Sequence, residues 1–129
     1  MKRKLEFQNY SFDSKLELNF FRYLTEQLNL KPEEDLEMQK KYPKPYFVDG
    51  KEHYTFVDFY IKSIDIWIEC KGAYFFNKEG EPVLPFGYKK EPEKQKQNEK
   101  IWKEKYVFLK KENIKLITSP KDFPILFVL

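Results

Sequence analysis

Asp58, Glu69 and Lys71 are the residues of this chain whose types and spacing suit chemistry. They stand in VDFYI and, eleven positions on, in WIECKG. Two carboxylates held close together repel unless a cation or a proton comes between them, and Mg²⁺ favours sites with one or two carboxylates and several waters. A lysine two residues beyond the second acid could hold or help deprotonate an attacking water and offset charge on a phosphate. The plain alternative is a cross-strand salt bridge from Asp58 or Glu69 to Lys71.

Strands must position these groups. Side chains alternate along a strand, so Asp65, Trp67, Glu69 and Lys71 share one face of IDIWIECKG, while Ile64, Ile66, Ile68 and Cys70 share the other. In the preceding run Phe56, Asp58 and Tyr60 form one face, and Val57, Phe59 and Ile61 the opposite one. A turn of Lys62-Ser63 sets Asp58 diagonal to Glu69; a turn from Lys62 to Asp65 sets it directly opposite. Both registers place the carboxylates on one face.

The remaining elements follow from local signals. SKLE at Ser14 has the form of a capping box and opens a helix from Lys15 to about Leu28. Its apolar stripe is Leu16, Phe20, Phe21, Leu24 and Leu28, and Glu17 falls near the centre of that stripe, pointing at the sheet. A carboxylate facing a core needs a cation or hydrogen-bond donors, so Glu17 is either the cap's partner or a third acid of the site. LEMQKKY reads as an edge or short strand ended by Pro43 and Pro45. PYFV, the Asp49-Gly50 turn, KEHYTFVDFYI and IDIWIECKG read as a three-stranded antiparallel meander. A long aromatic loop spans 73–88. A helix from about Pro92 to Glu112 carries Ile101, Trp102, Tyr106, Phe108 and Leu109 on one face and closes at Asn113. IKLIT and PILFVL suit buried strands. The sum is one domain over 1–129, an α/β fold with a mixed central sheet flanked by helices.

Composition narrows the partners. The chain has 129 residues, 24 basic and 21 acidic, for a net charge of +3. No run approaches the roughly 20 apolar residues of a membrane span, and the first residues lack a signal peptide's apolar run, so an intracellular protein without a membrane partner is expected. The single cysteine excludes an internal disulfide and a cysteine-based zinc cluster. The densest basic stretches are Lys40 to Lys44 and Lys89 to Lys105, either solvated faces or phosphate-binding surface. Lys89, Lys90, Lys94 and Asn98 are the candidates for nucleic-acid contact. His53 falls on the face away from Asp58 and reads as a packing or surface histidine.

VDFYI followed by WIECKG resembles the core signature of the PD-(D/E)xK nuclease superfamily, from about Ser14 to Gly72 and more weakly to Leu129. Within it the order SKLE, EMQ, YTFVDF, ECKG is similar to small phage endonucleases and Holliday junction resolvases; Val57 stands where a proline is usual. The resemblance implies a restriction-endonuclease-like fold and hydrolysis of DNA phosphodiesters with Mg²⁺, for which Mn²⁺ would substitute. It implies that Asp58, Glu69, Glu17 and the main-chain carbonyl of Cys70 hold the metal and that Lys71 orients the water. It also implies structure-selective cutting by a homodimer, whose symmetry matches branched DNA. A non-catalytic nucleic-acid-binding module, or the end-cleaving subunit of a transposase or restriction system, would carry the same core.

Overall fold

The computed structural model describes residues 4–84 and 92–127. The chain opens with a hairpin of β1 (Leu5–Phe7) and β2 (Tyr10–Phe12). Gln8 and Asn9 both take positive φ at its turn, which matches the twist of the flanking strands. This hairpin was not expected from the sequence. Helix α1 (Lys15–Arg22) follows, with the Ser14 hydroxyl accepting the Glu17 N–H at 3.1 Å. The expected helix does reach Leu28, but its last part, Tyr23–Gln27, is wound as a π-helix, and the Leu28 N–H bonds the Tyr23 carbonyl.

The acidic connector forms a short helix, α2 (Pro32–Asp35), and runs into β3 (Leu36–Lys41). Then β4 (Tyr46–Val48) and β5 (Lys51–His53) form a hairpin closed by Asp49 and Gly50, both at positive φ. The run KEHYTFVDFYI is therefore two strands: β5 ends at His53, and β6 (Phe56–Ile61) begins after Tyr54 and Thr55. β6 leaves the hairpin and pairs antiparallel with β3 and with β7 (Ile66–Cys70). The antiparallel meander is thus β3, β6 and β7, and β4–β5 is a separate two-stranded sheet.

Helix α3 (Pro92–Lys111) carries the chain to β8 (Lys115–Ile117), which pairs parallel with β7. Parallel neighbours need such a crossover. Asn113, at φ 58, ends the helix as expected, and the Ile114 N–H reaches back to the Leu109 carbonyl. Residues 128 and 129 lie outside the described residues, and the described part of PILFVL is not a strand: Pro120–Phe127 is 3₁₀-helical. Its start is fixed by the Asp122 carboxylate, which accepts the N–H groups of Thr118 and Ser119.

The main sheet, in the order β3-β6-β7-β8, is mixed, with β3 on an edge as its flanking prolines require. A core lies on each face. Phe20 and Phe21 of α1 and Leu24 of the π-helical segment pack with Phe59, Ile61, Ile66, Ile68 and Cys70. These three side chains are fully buried, each worth roughly 1.5–3 kcal/mol. On the other face Trp102, Phe108 and Leu109 of α3 pack with Tyr42, Tyr46, Val48 and Val57. Among the described residues no helix is long and apolar enough to cross a membrane.

Candidate active site

The turn between β6 and β7 decides the register. Lys62–Ile64 form a 3₁₀ turn and Asp65 follows at φ 52, so Ile61 pairs with Ile66, Tyr60 with Trp67 and Phe59 with Ile68. The next rung in this register sets Asp58 opposite Glu69, the second of the two alternatives open from the sequence. There the regular ladder gives way to side chains. The Asp58 N–H donates to Glu69 Oε1 at 3.2 Å, and the Cys70 N–H donates to Asp58 Oδ2 at 2.8 Å. Each acid is thereby oriented by the backbone of the other's strand.

On the outer side β3 is distorted at the same level. Gln39 takes φ 51, a left-handed conformation that costs on the order of 1–2 kcal/mol for a residue with a Cβ. The paired positions of β3 and β6 skip Gln39 and Asp58, and the Gln39 amide instead donates to Asp58 Oδ1 at 2.9 Å. The kink corrects one expectation. Val57 does not share a core with Phe59 and Ile61; it packs with Trp102 and Leu109 on the α3 side. Regular alternation holds only up to Asp58, where the strand changes face.

Asp58, Glu69 and Glu17 are all buried, at 8%, 4% and 8% exposure, although carboxylates are seldom buried without partners. They line one cavity of about 750 Å³ together with Lys71, Lys105, Phe56 and Tyr74. The cavity opens at the start of β6, the ends of β7 and β8, and the first turn of α1. Glu17 does point inward, and it also keeps its cap: the Ser14 hydroxyl donates to its Oε1 at 3.4 Å. Burial, then the charges of Asp13 and Glu69, push the Glu17 carboxyl up. Burial, then Glu69 and Glu17, push Asp58 up to about 9.

Lys71 shares the α3-side face with Glu69, but the simple salt bridge within the Glu-x-Lys segment is not what forms. The Lys71 ammonium lies over the rings of Phe75, at 4.4 Å, and Trp102, at 5.3 Å. Burial and the neighbouring Lys105 lower its pKa. The outer oxygen of Glu69 is taken by Lys105 of α3, at 2.8 Å. Burial opposes the charge on Lys105, yet the Glu69 pair outweighs it and its pKa is raised.

Lys105 and Gln39 are the two members of this cluster that sequence reasoning missed. Lys105 had a legible signal: it lies three residues after Trp102 and four before Leu109, within the buried stripe of α3, as Glu17 lies within that of α1. Gln39 had none beyond its place in the EMQ segment.

The other candidates lie elsewhere. Cys70 is buried, its thiol in the α1-side core, and burial raises its pKa. Lys94 is exposed and Asn98 half-buried, both in the first half of α3. At 1.5 Å per residue Lys94 is about 16 Å along the axis from Lys105, and neither Lys94 nor Asn98 lines the cavity. That half of the helix faces the β4–β5 turn instead, where Lys100 pairs with Asp49. Lys89 and Lys90 lie outside the described residues. His53 stacks on Tyr46, with ring centroids 5.3 Å apart, in the packing role expected.

Among the described residues no group of three or more His, Cys, Asp or Glu side chains is arranged as a ready-made metal cage. The donor chemistry nonetheless suits a hard cation. Each carboxylate oxygen of Asp58 and Glu69 accepts one hydrogen bond and, when both acids are ionised, keeps a second lone pair; burial, then Glu69 and Glu17, raise the Asp58 pKa and so favour a proton or a cation at the pair. Comparison of the chain with protein-family models, with curated proteins and with solved structures returns no match.

Proposed function

We propose that this chain is a metal-dependent endodeoxyribonuclease of the PD-(D/E)xK type on a restriction-endonuclease-like core. The observation that carries the reading is the Asp58–Glu69 pair. Two buried carboxylates are fixed opposite each other where regular pairing of β6 and β7 ends, with Glu17 and Lys71 on the same cavity. Ionised together at this depth, Asp58 and Glu69 would carry more negative charge than the Lys105 ammonium balances, so without a cation Asp58 holds a proton: burial, then Glu69 and Glu17, push its carboxyl up.

Mg²⁺, or Mn²⁺ in its place, would be held by Asp58 and Glu69, with Glu17 and the Cys70 carbonyl as further oxygen donors, and would supply a Lewis acid and a more acidic bound water. The chain's own groups do the rest. The Cys70 and Asp58 N–H groups fix both carboxylates before substrate arrives, so no reorganisation is needed then. Lys71, with its lowered pKa and its seat over two rings, orients the water and gives up a proton more readily than an ordinary lysine. Lys105 holds Glu69 in place.

The test is cleavage of a mixed panel of DNAs in Mg²⁺ and in EDTA, by the parent and by Glu69→Ala and Lys71→Ala. Cleavage in Mg²⁺ alone, lost in both variants while DNA binding persists, is the expected result. Tight binding with no cleavage in any metal would make the chain a nucleic-acid-binding module. The preference for branched DNA and a homodimer belongs to the same proposal, and equal cutting of junction and linear duplex by a monomer would remove that part.

A further inference from the structure

Two large aromatic rings stand exposed at the mouth of the carboxylate cavity. Phe56, 56% exposed, is the first residue of β6, two positions before Asp58. Tyr74, 57% exposed, lies three positions after Lys71. Single exposed aromatics are ordinary, but these two line the one cavity that holds Asp58, Glu69 and Lys71.

The Tyr74 ring is positioned by its surroundings, with the Phe75 ring 5.0 Å away. A Cβ at Gly72 would come 2.5 Å from Tyr74 Cε1 and 2.9 Å from Cζ, so the ring takes its place against the backbone only because residue 72 is glycine. Phe56 sits across the ladder from Lys41, whose ammonium lies 4.0 Å from the centroid of the Tyr54 ring. The rim therefore offers two exposed aromatic rings, with Lys41 on the strand beside Phe56.

Resting on the nuclease reading above, we infer that Phe56 and Tyr74 are stacking platforms for unpaired bases beside the scissile phosphate. The substrate class follows from the chemistry. A base within an uninterrupted duplex has both faces covered by its neighbours, whereas an unpaired base can lay a face on a protein ring, and any base serves because each has one. Lys41 then lies where it attracts the backbone phosphates of the same strand. The preferred substrate is DNA with unpaired bases at the scissile phosphate: a single strand, or an unpaired segment within a duplex or at a branch.

The experiment uses the full chain with Mg²⁺ and three oligonucleotides of common sequence: a single strand, a duplex with an unpaired segment, and an uninterrupted duplex. Cleavage is followed as KM and kcat, and affinity by fluorescence anisotropy, for the parent, Phe56→Ala, Tyr74→Ala and the double variant. Phe56→Tyr and Tyr74→Phe keep a ring and serve as rescue controls, and melting curves check that each variant is folded. The parent is expected to favour the unpaired substrates, and each alanine to weaken their binding and raise their KM by roughly 5- to 150-fold, with smaller effect on the duplex. The ring-keeping variants should behave as the parent. Alanine variants that bind and cut single strands like the parent, or a parent that favours uninterrupted duplex, would overturn the assignment. Absence of cleavage on every substrate would defeat the nuclease reading by itself, and the stacking platforms would then stand or fall on the anisotropy measurements.

Discussion

Replacing Lys105 with methionine isolates the ion pair that anchors Glu69. The pair is 2.8 Å long, with the lysine side chain 20% and the glutamate side chain 5% exposed. Methionine keeps most of the apolar stem in the α3 stripe but removes the charge, leaving Glu69 buried with its outer oxygen unpartnered. Breaking a buried pair in this way costs about 3–5 kcal/mol, and the residual exposure of Lys105 points to the lower end. In a domain of this size about 3 kcal/mol corresponds to roughly 10 °C in Tm. Adding Glu69→Gln should restore much of the loss, because the neutral amide no longer needs a cation; a double-mutant cycle on thermal melts gives the coupling. Mg²⁺ should raise the Tm of Lys105→Met more than that of the parent, since a cation can take the oxygen that the lysine gave up, and a hundredfold excess over Kd contributes about 2.7 kcal/mol. A Lys105→Met protein that melts with the parent would refute the reasoning.

Stability should also fall as pH rises. The ordinary Asp58 value of 3.8 is raised to about 9 on folding, so between these values the folded chain holds a proton that the unfolded chain has released. Its contribution is complete below 3.8 and is lost as pH climbs toward 9, at up to about 1.4 kcal/mol per unit, with Glu17 acting in the same direction. Urea titrations from pH 5 to 9 should show this slope, and Asp58→Asn should flatten it; an unchanged slope in that variant would count against the assignment. Glu17→Gln retains an oxygen for the Ser14 hydroxyl, so its melting should match the parent while Mg²⁺-dependent cleavage drops at least about tenfold, the effect of roughly 1.4 kcal/mol at the transition state. Full activity would leave Glu17 with the cap alone. Lys94→Ala with Asn98→Ala should lower DNA affinity and its salt dependence without changing turnover at saturation, since both residues lie away from the cavity. A lowered kcat would place them in the site after all.

What could be read from the sequence is what local chemistry determines. The Ser14 cap, the Asp49-Gly50 turn and the Asn113 terminus each follow from one side chain's or backbone's preference. The inward direction of Glu17 follows from helical periodicity, and the opposition of Asp58 and Glu69 from strand periodicity once the turn length is known. What escaped depends on contacts between distant segments. KEHYTFVDFYI looks continuous because nothing local at Tyr54 and Thr55 announces a break; it is the pairing of β6 with β3 that draws the two halves into separate sheets. The left-handed Gln39 has no glycine to announce it, and its conformation persists because its amide reaches Asp58. PILFVL is apolar enough for a strand, but Pro120, Pro124 and the Asp122 cap favour a tight helical turn instead. Lys105 was overlooked although the rule that singled out Glu17 applies to it unchanged.

The turn from Lys62 to Asp65 lies at the far end of the β6–β7 hairpin from the carboxylates and touches none of them, yet its length sets which residues meet there. One residue gained or lost would slide β7 by a single rung, bring Ile68 or Cys70 opposite Asp58 and turn Glu69 into the apolar layer. Two would restore the face but carry Glu69 about 7 Å along the strand to a diagonal position, and break the N–H bonds by which each strand orients the other's acid. Among descendants of this chain the four positions are therefore free to vary in kind, with glycine or asparagine suited to the left-handed Asp65, but not in number. The loop after Gly72 carries no such constraint, because it leaves the sheet beyond Lys71, and it is there that insertions can accumulate while the paired acids stay in step.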